Sequence, residues 1–263
     1  MEQRTEKRVR DFYDEKGWQV DDGGVELDTQ LWDLGRDCSA AYNETCDRKV
    51  LTHLDFPGEF FLDAGSGPAR REDYVDYYHF SQRVCVDFSH TALTLARKRH
   101  GDRCQYVLSS LLNLPFPENF FDSAISLHVI YHIDKAAQER AVREIIRVTK
   151  PGKPIVIVYR NPLAPFDILQ SLVRLLRLNK LLGGGEVYFH SHPLWWWKRF
   201  TDSCELKVLP WHVLTVRVSK LLIPDNSLGK AIFRCFAAVE ANHPTLAVAL
   251  WSYPLIVLRK KSH

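Results

Sequence analysis

The chain has 263 residues, of which 46% are hydrophobic and 25% are charged, a composition that supports a sizeable core and excludes a disordered protein. Its net charge of +3 is small and its Lys and Arg residues form no long run, which argues against nucleic acid as a partner. Six dispersed cysteines predict reduced thiols and a cytoplasmic location, and no segment resembles a signal peptide or a transmembrane helix.

The first 55 residues predict helices rather than strands. Residues 2–16 are dense in charge and carry Val9, Phe12 and Tyr13 at helical spacing, which predicts a short amphipathic helix. Helical spacing returns from Cys38 to Leu54 and stops at Pro57-Gly58. We therefore assign residues 1–55 to a helical lid or cap.

Short apolar runs alternate with helical segments from residue 56 to residue 160. The predicted strands are Phe60–Asp63, Arg83–Asp87, Cys104–Leu108, Phe121–Leu127 and Pro154–Tyr159, with helices at Thr91–His100 and Gln138–Val148. This alternation predicts an α/β fold with a doubly wound, mostly parallel, Rossmann-like sheet and helices on both faces. The ligand is expected at the carboxyl ends of the strands.

Beyond residue 160 the pattern predicts a segment that covers the ligand. Asn161–Leu182 is amphipathic and basic, Gly183–Gly185 is a joint, and Trp195–Trp197 follows a His-rich stretch. Val248–Leu258 predicts a final strand or hairpin. We assign residues 161–263 to substrate-covering helices and the last strands, integrated with the core of residues 56–160.

A glycine loop, residues 62–68, follows the first predicted strand. Gly65 and Gly67 let the backbone approach a ligand closely, and Asp87 ends the next strand, where a carboxylate accepts the hydroxyls of a ribose. A nicotinamide or flavin site requires Gly-x-Gly-x-x-Gly, and Arg70 stands at the third glycine. The Asp63 carboxylate suits an ammonium group better than a pyrophosphate. A purely structural turn is the alternative.

Several segments resemble, in order, the motifs of class I S-adenosylmethionine-dependent methyltransferases. They are Leu62-Asp63-Ala64-Gly65-Ser66-Gly67, Val86-Asp87, Leu114-Pro115-Phe116-Pro117, Phe121-Asp122 and Val148-Thr149-Lys150-Pro151-Gly152. The resemblance spans about residues 58–160. It implies S-adenosyl-L-methionine as the cofactor and says little about the acceptor.

The resemblance also implies roles for individual residues. Asp63, Gly65 and Gly67 would hold the amino-acid part of the cofactor, Asp87 would hold the ribose, and Phe88 would flank the adenine.

Two positions depart from the family pattern. Ser110 stands where the family often has an acid near the adenine amine, so recognition would fall to its hydroxyl or to the Leu111 backbone. Ala69 replaces a third glycine, and Arg70 after it is either surface charge or a ligand contact. Residues 12–18 resemble the lid of small-molecule members, so that Tyr13 would either line the site or simply pack.

Histidines follow the fourth predicted strand. His128 and His132 are spaced i, i+4, so a helical turn would place both on one face. Many small-molecule members carry a His-His pair here, matched by Tyr131-His132, and His132 is our first choice for a general base. In the alternative, His128 packs near the methionine end of the cofactor and His132 only forms hydrogen bonds.

A second pair, His190 and His192, lies beside the three tryptophans. These histidines would contact substrate, act as a base or be structural, and we expect no metal because no third ligand is fixed nearby. The tryptophans either stack on an acceptor or pack. The basic amphipathic segment either packs on the domain or rests on a membrane surface.

The sequence therefore predicts a methyltransferase for a small-molecule acceptor, with O-methylation favoured because histidines rather than carboxylates lie on the acceptor side. Three alternatives stay open: N- or C-methylation, a lipid or isoprenoid acceptor at a membrane surface, and a cofactor-binding regulator without catalysis.

Overall fold

Seven strands form the centre of the protein in a computed structural model, which describes residues 2–20, 26–27, 36–69, 80–168 and 187–262, apart from the side chain of Arg217. They are β1 (Gly58–Ala64), β2 (Phe80–Asp87), β3 (Cys104–Leu108), β4 (Ser123–Leu127), β5 (Pro154–Val158), β6 (Cys204–His212) and β7 (Tyr253–Lys260). Their order in the sheet is β3-β2-β1-β4-β5-β7-β6. Strands β1 to β5 pair in parallel, and β7 is antiparallel to both of its neighbours.

The described helices are α1 (Glu2–Phe12), α2 (Ala40–Leu51), α3 (His90–His100), α4 (Gln138–Val148), α5 (Val216–Leu222), α6 (Ser227–Asn242) and α7 (Pro244–Leu250). A π-helical turn, Tyr13–Gly17, extends α1, and 3₁₀ turns lie at Gly101–Arg103, Ile130–His132 and Leu194–Phe200. Side-chain caps fix three of these starts, and one is the Thr215 hydroxyl, which accepts the Val218 N–H at α5. The Ser89 hydroxyl accepts the Ala92 N–H at α3, and the Asn226 side chain accepts two N–H groups at α6.

The two faces of the sheet carry separate apolar clusters. On one face Ile145 of α4 lies in the same buried cluster as Leu62 of β1. On the other face Val50 of α2 and Phe233 of α6 cluster with Phe61, because successive side chains of a strand point to opposite faces. Helices therefore cover both faces, and the predicted Rossmann-like fold is confirmed.

The carboxyl-terminal part differs from expectation in its details. β6 and the three helices α5 to α7 were not predicted individually, and Val248–Leu250 belongs to α7 rather than to the final strand. β7 starts at Tyr253 and pairs with β5 and β6, so it completes the sheet. Most of the basic segment Asn161–Leu182, the glycine joint and Arg70 lie outside the described residues. Among the described helices, none is long and apolar enough to span a membrane.

Candidate cofactor and acceptor site

The carboxyl ends of β1, β2 and β4 meet at one edge of the sheet, where the strand order reverses between β1 and β4. Such a reversal opens a crevice at the edge of a doubly wound sheet. The glycine loop follows β1, Asp87 ends β2, and His128 follows β4. The fold thus brings together the residues that the sequence motifs selected.

The glycine loop is left-handed at three positions. Gly65, Gly67 and Ala69 have φ angles of 76°, 52° and 49°, a region that favours glycine and costs about 1–2 kcal/mol for alanine. An ideal Cβ at Gly65 would lie 2.5 Å from a Val129 methyl carbon, and one at Gly67 would lie 3.1 Å from the Trp18 ring. The Val129 and Trp18 side chains therefore pack so closely against the loop that both positions must also be glycine for steric reasons.

The backbone N–H groups of residues 65–69 are all used within the protein. The Gly65 and Ser66 N–H groups donate to the Val86 carbonyl oxygen at 2.8 and 3.1 Å. The Gly67 N–H donates to Asp87 Oδ2 at 2.9 Å, and the Ala69 N–H donates to the Ser66 carbonyl oxygen at 3.0 Å. Pro68 has no N–H. A phosphate-binding loop instead directs N–H groups at its anion. This loop therefore does not have the geometry of a pyrophosphate cradle.

Asp87 is a buried carboxylate held by two backbone donors. Its Oδ2 accepts the Gly67 N–H at 2.9 Å and its Oδ1 accepts the Ser89 N–H at 2.8 Å. The pKa of Asp87 is raised to about 6 by burial and by the Asp63 and Asp14 carboxylates, against the lowering effect of these two hydrogen bonds. Each oxygen retains capacity for another donor, as a ribose diol requires. Phe88, expected beside the adenine, is half-buried directly after Asp87.

Asp63 has a partner that sequence reasoning missed. Its carboxylate forms a buried ion pair with the guanidinium of Arg83 on β2. The ion pair raises the pKa of Arg83 despite desolvation. A cofactor ammonium would have to share this carboxylate with Arg83, so the direct role predicted for Asp63 competes with a structural one.

The amino-terminal segment lies across the glycine loop. Tyr13 stacks on Trp18 with ring centroids 4.8 Å apart, and Trp18 contacts the position of Gly67. The Trp18 indole N–H is buried and has no hydrogen-bond partner among the described residues. A buried donor of this kind beside the loop fits a ligand carbonyl, carboxylate or hydroxyl.

Ser110 and Leu111 occupy the expected place after β3. The Ser110 hydroxyl donates to Glu6 of α1 and accepts the Leu112 N–H at 3.2 Å, whereas the Leu111 side chain is buried in the core. A carboxylate therefore does reach the position where the sequence has a serine. Glu6 was missed because it comes from a helix 104 residues away.

His128 and His132 do not share a helical face, contrary to expectation. His128 precedes the 3₁₀ turn and has a φ of 64°, a strained value for a non-glycine residue that costs of order 1–3 kcal/mol. The Tyr131 ring lies 6.2 Å from His128 and 4.7 Å from His132. His128 Nδ1 shares a 2.8 Å hydrogen bond with the Tyr131 hydroxyl.

His132 lies between the core and the amino-terminal segment. Its Nδ1 is 2.8 Å from the Tyr188 carbonyl oxygen, which can only accept, so Nδ1 carries the proton and Nε2 carries the lone pair. The Tyr13 hydroxyl lies 3.5 Å from Nε2. Desolvation lowers the pKa of His132 to about 4, and the Arg160 guanidinium acts in the same direction. The imidazole is therefore neutral at pH 7.

His190 and His192 flank this group from the outside. The His190 N–H donates to Tyr131 O at 2.8 Å, and the His192 ring stacks on Trp196 at 4.7 Å. His192 Nε2 lies 3.2 Å from the Lys135 carbonyl oxygen, whereas the His190 backbone N–H holds the turn that carries His132. Trp196 and Trp197 are buried, whereas Trp195 is 62% exposed. Among the described residues no cluster of three His, Cys, Asp or Glu side chains could hold a metal ion.

Comparison with known proteins identifies the core. Residues 62–157 match the family described as "Methyltransferase domain". A tRNA (carboxymethyluridine(34)-5-O)-methyltransferase of Arabidopsis thaliana is 32% identical over 102 residues, which are 38% of this chain and 24% of that protein. A demethylmenaquinone methyltransferase of Symbiobacterium thermophilum is 26% identical over 217 residues, or 79% of this chain and 80% of that one.

Solved structures show the same fold. Magnesium protoporphyrin IX methyltransferase from Synechocystis PCC 6803, crystallised with SAH, superposes with a TM-score of 0.61 at 12% identity, over 98% of this chain and 100% of that one. The matches to tRNA methyltransferases cover only 21–24% of those relatives. Residues 62–157 are thus a methyltransferase domain, and the chain has the class I methyltransferase fold.

Proposed function

We propose that this chain, which carries a class I methyltransferase domain, binds S-adenosyl-L-methionine and methylates a small molecule. The observation that carries the proposal is the glycine loop closed on Asp87: its N–H groups are used internally, and a buried carboxylate stands at the end of β2. This arrangement suits a ribose and a cationic group rather than a phosphate. When bound, the cofactor supplies an electrophilic methyl group on a sulfonium.

The surrounding residues fit such a cofactor. Asp87 would accept the ribose hydroxyls, and the Trp18 indole N–H is a buried donor that needs an acceptor. Gly65 and Gly67 keep the loop narrow, so that ligand and protein can both approach its backbone. The Asp87 and Asp14 carboxylates lie close enough to affect each other's charge and favour a cation at the site, whereas the charge of Asp63 is balanced by Arg83.

The acceptor side is aromatic. The His128 ring lies 5.1 Å from Trp211 and 5.0 Å from Tyr253, and the Tyr131 ring lies 4.8 Å from Phe189. Aromatic side chains at the ligand edge of a sheet suit a planar or isoprenoid acceptor. Relatives named as a demethylmenaquinone methyltransferase and a sterol 24-C-methyltransferase agree with this acceptor class.

For an oxygen acceptor we propose His132 as the general base. Its Nε2 carries the lone pair, and the acceptor hydroxyl would take the place of the Tyr13 hydroxyl and pass its proton to that nitrogen. A base whose conjugate acid has a pKa of about 4 accepts protons efficiently only from acidic hydroxyls. The preferred acceptor is therefore a phenol-like hydroxyl rather than an aliphatic alcohol.

Transfer of a labelled methyl group from S-adenosylmethionine to a panel of phenols, aliphatic alcohols and amines tests this function. We expect turnover of a phenol, with kcat about 10²–10⁴-fold lower in His132→Ala and the affinity for S-adenosylhomocysteine unchanged. His53→Ala, in the turn after α2, is the matched control and should leave kcat unchanged. Full kcat in His132→Ala would refute the base. Tight cofactor binding without any turnover would favour a regulator.

A second candidate acceptor is a lipid or isoprenoid taken from a membrane surface. The corner between α5 and α6 exposes Leu221, Leu222 and Leu228 by 75%, 55% and 61%, beside Lys220 and Lys230. Exposed leucines next to cations are typical of interfacial binding. Sedimentation with anionic vesicles at low salt tests it: Leu221→Asp/Leu222→Asp should reduce the bound fraction several-fold, and no binding by the native chain removes this candidate.

A further inference from the structure

We infer that Glu6 of α1 recognises the adenine amino group, so that the amino-terminal helix rather than the α/β core selects an adenosine cofactor. The inference rests on the proposed cofactor site and adds a residue to it. Its basis is the contact between Glu6 and Ser110, two residues 104 positions apart in the sequence.

The position of the adenine follows from the order of the strands. Asp87 marks the ribose at the end of β2, and the glycine loop and His128 lie on one side of it, after β1 and β4. The other side is the end of β3. There the Ser109 N–H donates to the Asp87 carbonyl at 3.0 Å, which places Ser110 directly beside the ribose site. A base attached to that ribose and directed away from β1 lies against this turn.

The chemistry at the turn requires an acceptor. An adenine amino group is a hydrogen-bond donor. The Ser110 hydroxyl donates to Glu6 and its oxygen already accepts the Leu112 N–H at 3.2 Å, so the charged Glu6 carboxylate is a stronger acceptor than this hydroxyl. The carboxylate of Glu6 only accepts, and no donor other than Ser110 contacts it among the described residues. It therefore has lone pairs available for the amino group.

Contacts on both sides of Glu6 hold the helix in register. The Thr5 hydroxyl donates to Asp134 at 2.9 Å, and Arg140 forms an ion pair with Glu2 at 3.2 Å. Further along, the Ser89 hydroxyl donates to Asp14. Glu6 is thus placed by neighbouring tethers and is not an independent surface side chain.

Two ligands can distinguish recognition of the adenine amino group by Glu6 from a purely structural contact between Glu6 and Ser110. S-adenosylhomocysteine presents an amino donor at C6 of the base, whereas S-inosylhomocysteine presents a carbonyl acceptor there. Calorimetry with both ligands should show the native chain favouring the adenosyl ligand at least tenfold, because a carboxylate facing a carbonyl leaves both acceptors unpaired. Glu6→Gln supplies an N–H donor and should lower this preference at least tenfold.

Two further variants serve as controls. Asp11→Asn changes a carboxylate of the same helix that pairs with Lys7 and Arg10 of that helix, and it should leave the preference unchanged. Ser110→Ala removes the tether and keeps the carboxylate, so it should weaken both ligands equally. An unchanged preference in Glu6→Gln would overturn the inference and leave Glu6 a tether. Binding of neither ligand by the native chain would instead refute the cofactor site itself.

Discussion

The affinity for the cofactor should depend on pH through Asp87. Its pKa in the unliganded protein is raised to about 6 by burial, and only the ionised carboxylate can accept both ribose hydroxyls while it holds two backbone N–H donors. With that pKa, Asp87 is ionised in about nine tenths of the molecules at pH 7 and in about one tenth at pH 5. The affinity for S-adenosylhomocysteine should therefore fall about tenfold, or about 1.4 kcal/mol, over this range.

Isothermal titration calorimetry between pH 5 and pH 8 measures this dependence. The sign is fixed by the raised pKa: binding is strongest above pH 7 and weakens as the pH falls through about 6, with protons released on binding near pH 6. Asp87→Asn should bind at least tenfold more weakly at pH 7.5 and lose the pH dependence. An affinity that stays constant from pH 5 to pH 8 in the native chain would refute the reasoning.

Three further changes test the packing around the site. In urea unfolding, Gly65→Ala should destabilise the fold by about 2–4 kcal/mol, because its Cβ would collide with Val129 and its φ is positive. Gly152 has a similar φ of 73° but open space around it, so Gly152→Ala should destabilise the fold by only about 1–2 kcal/mol. Arg83→Met leaves the buried Asp63 carboxylate without its cation and should lower the free energy of unfolding by about 3–5 kcal/mol. The double variant with Asp63→Asn should recover most of this loss, and no recovery would contradict the ion pair. Because the pKa of His132 is lowered to about 4, the neutral imidazole contributes at most about 3 kcal/mol to the free energy of unfolding. This contribution is present above pH 6.5 and is lost as the pH falls towards 4. In His132→Gln the free energy of unfolding should therefore depend less on pH.

The central parallel strands β4 and β5 could be predicted from the sequence because they are buried on both faces and appear as short apolar runs. β3 and β5 begin at the predicted residues, and β4 is two residues shorter than expected at its start. β6 escaped prediction although Cys204–Val208 alternates apolar and charged residues, a pattern typical of a half-buried strand. Pro210 interrupts this pattern, as an edge strand permits, and left the segment looking like a loop.

The site likewise contains residues that a local sequence motif selects and residues that only the fold brings into place. Gly65, Gly67 and Asp87 are close in sequence to the strands that position them, so a local motif was sufficient to select them. Glu6 and Trp18 reach the site only through long-range folding, and no spacing in the sequence indicates it. The backbone of His128 turns left-handed at the end of β4, which separated two histidines that an α-helical spacing would have placed together.

The most direct test of the account is calorimetric titration of the native chain at pH 7.5 with S-adenosylhomocysteine and, separately, with NAD. The glycine loop has no backbone N–H available for a phosphate, and Asp87 is buried at the ribose position. We expect one molecule of S-adenosylhomocysteine to bind per chain and NAD not to bind. Binding of NAD, or of neither ligand, would contradict this expectation.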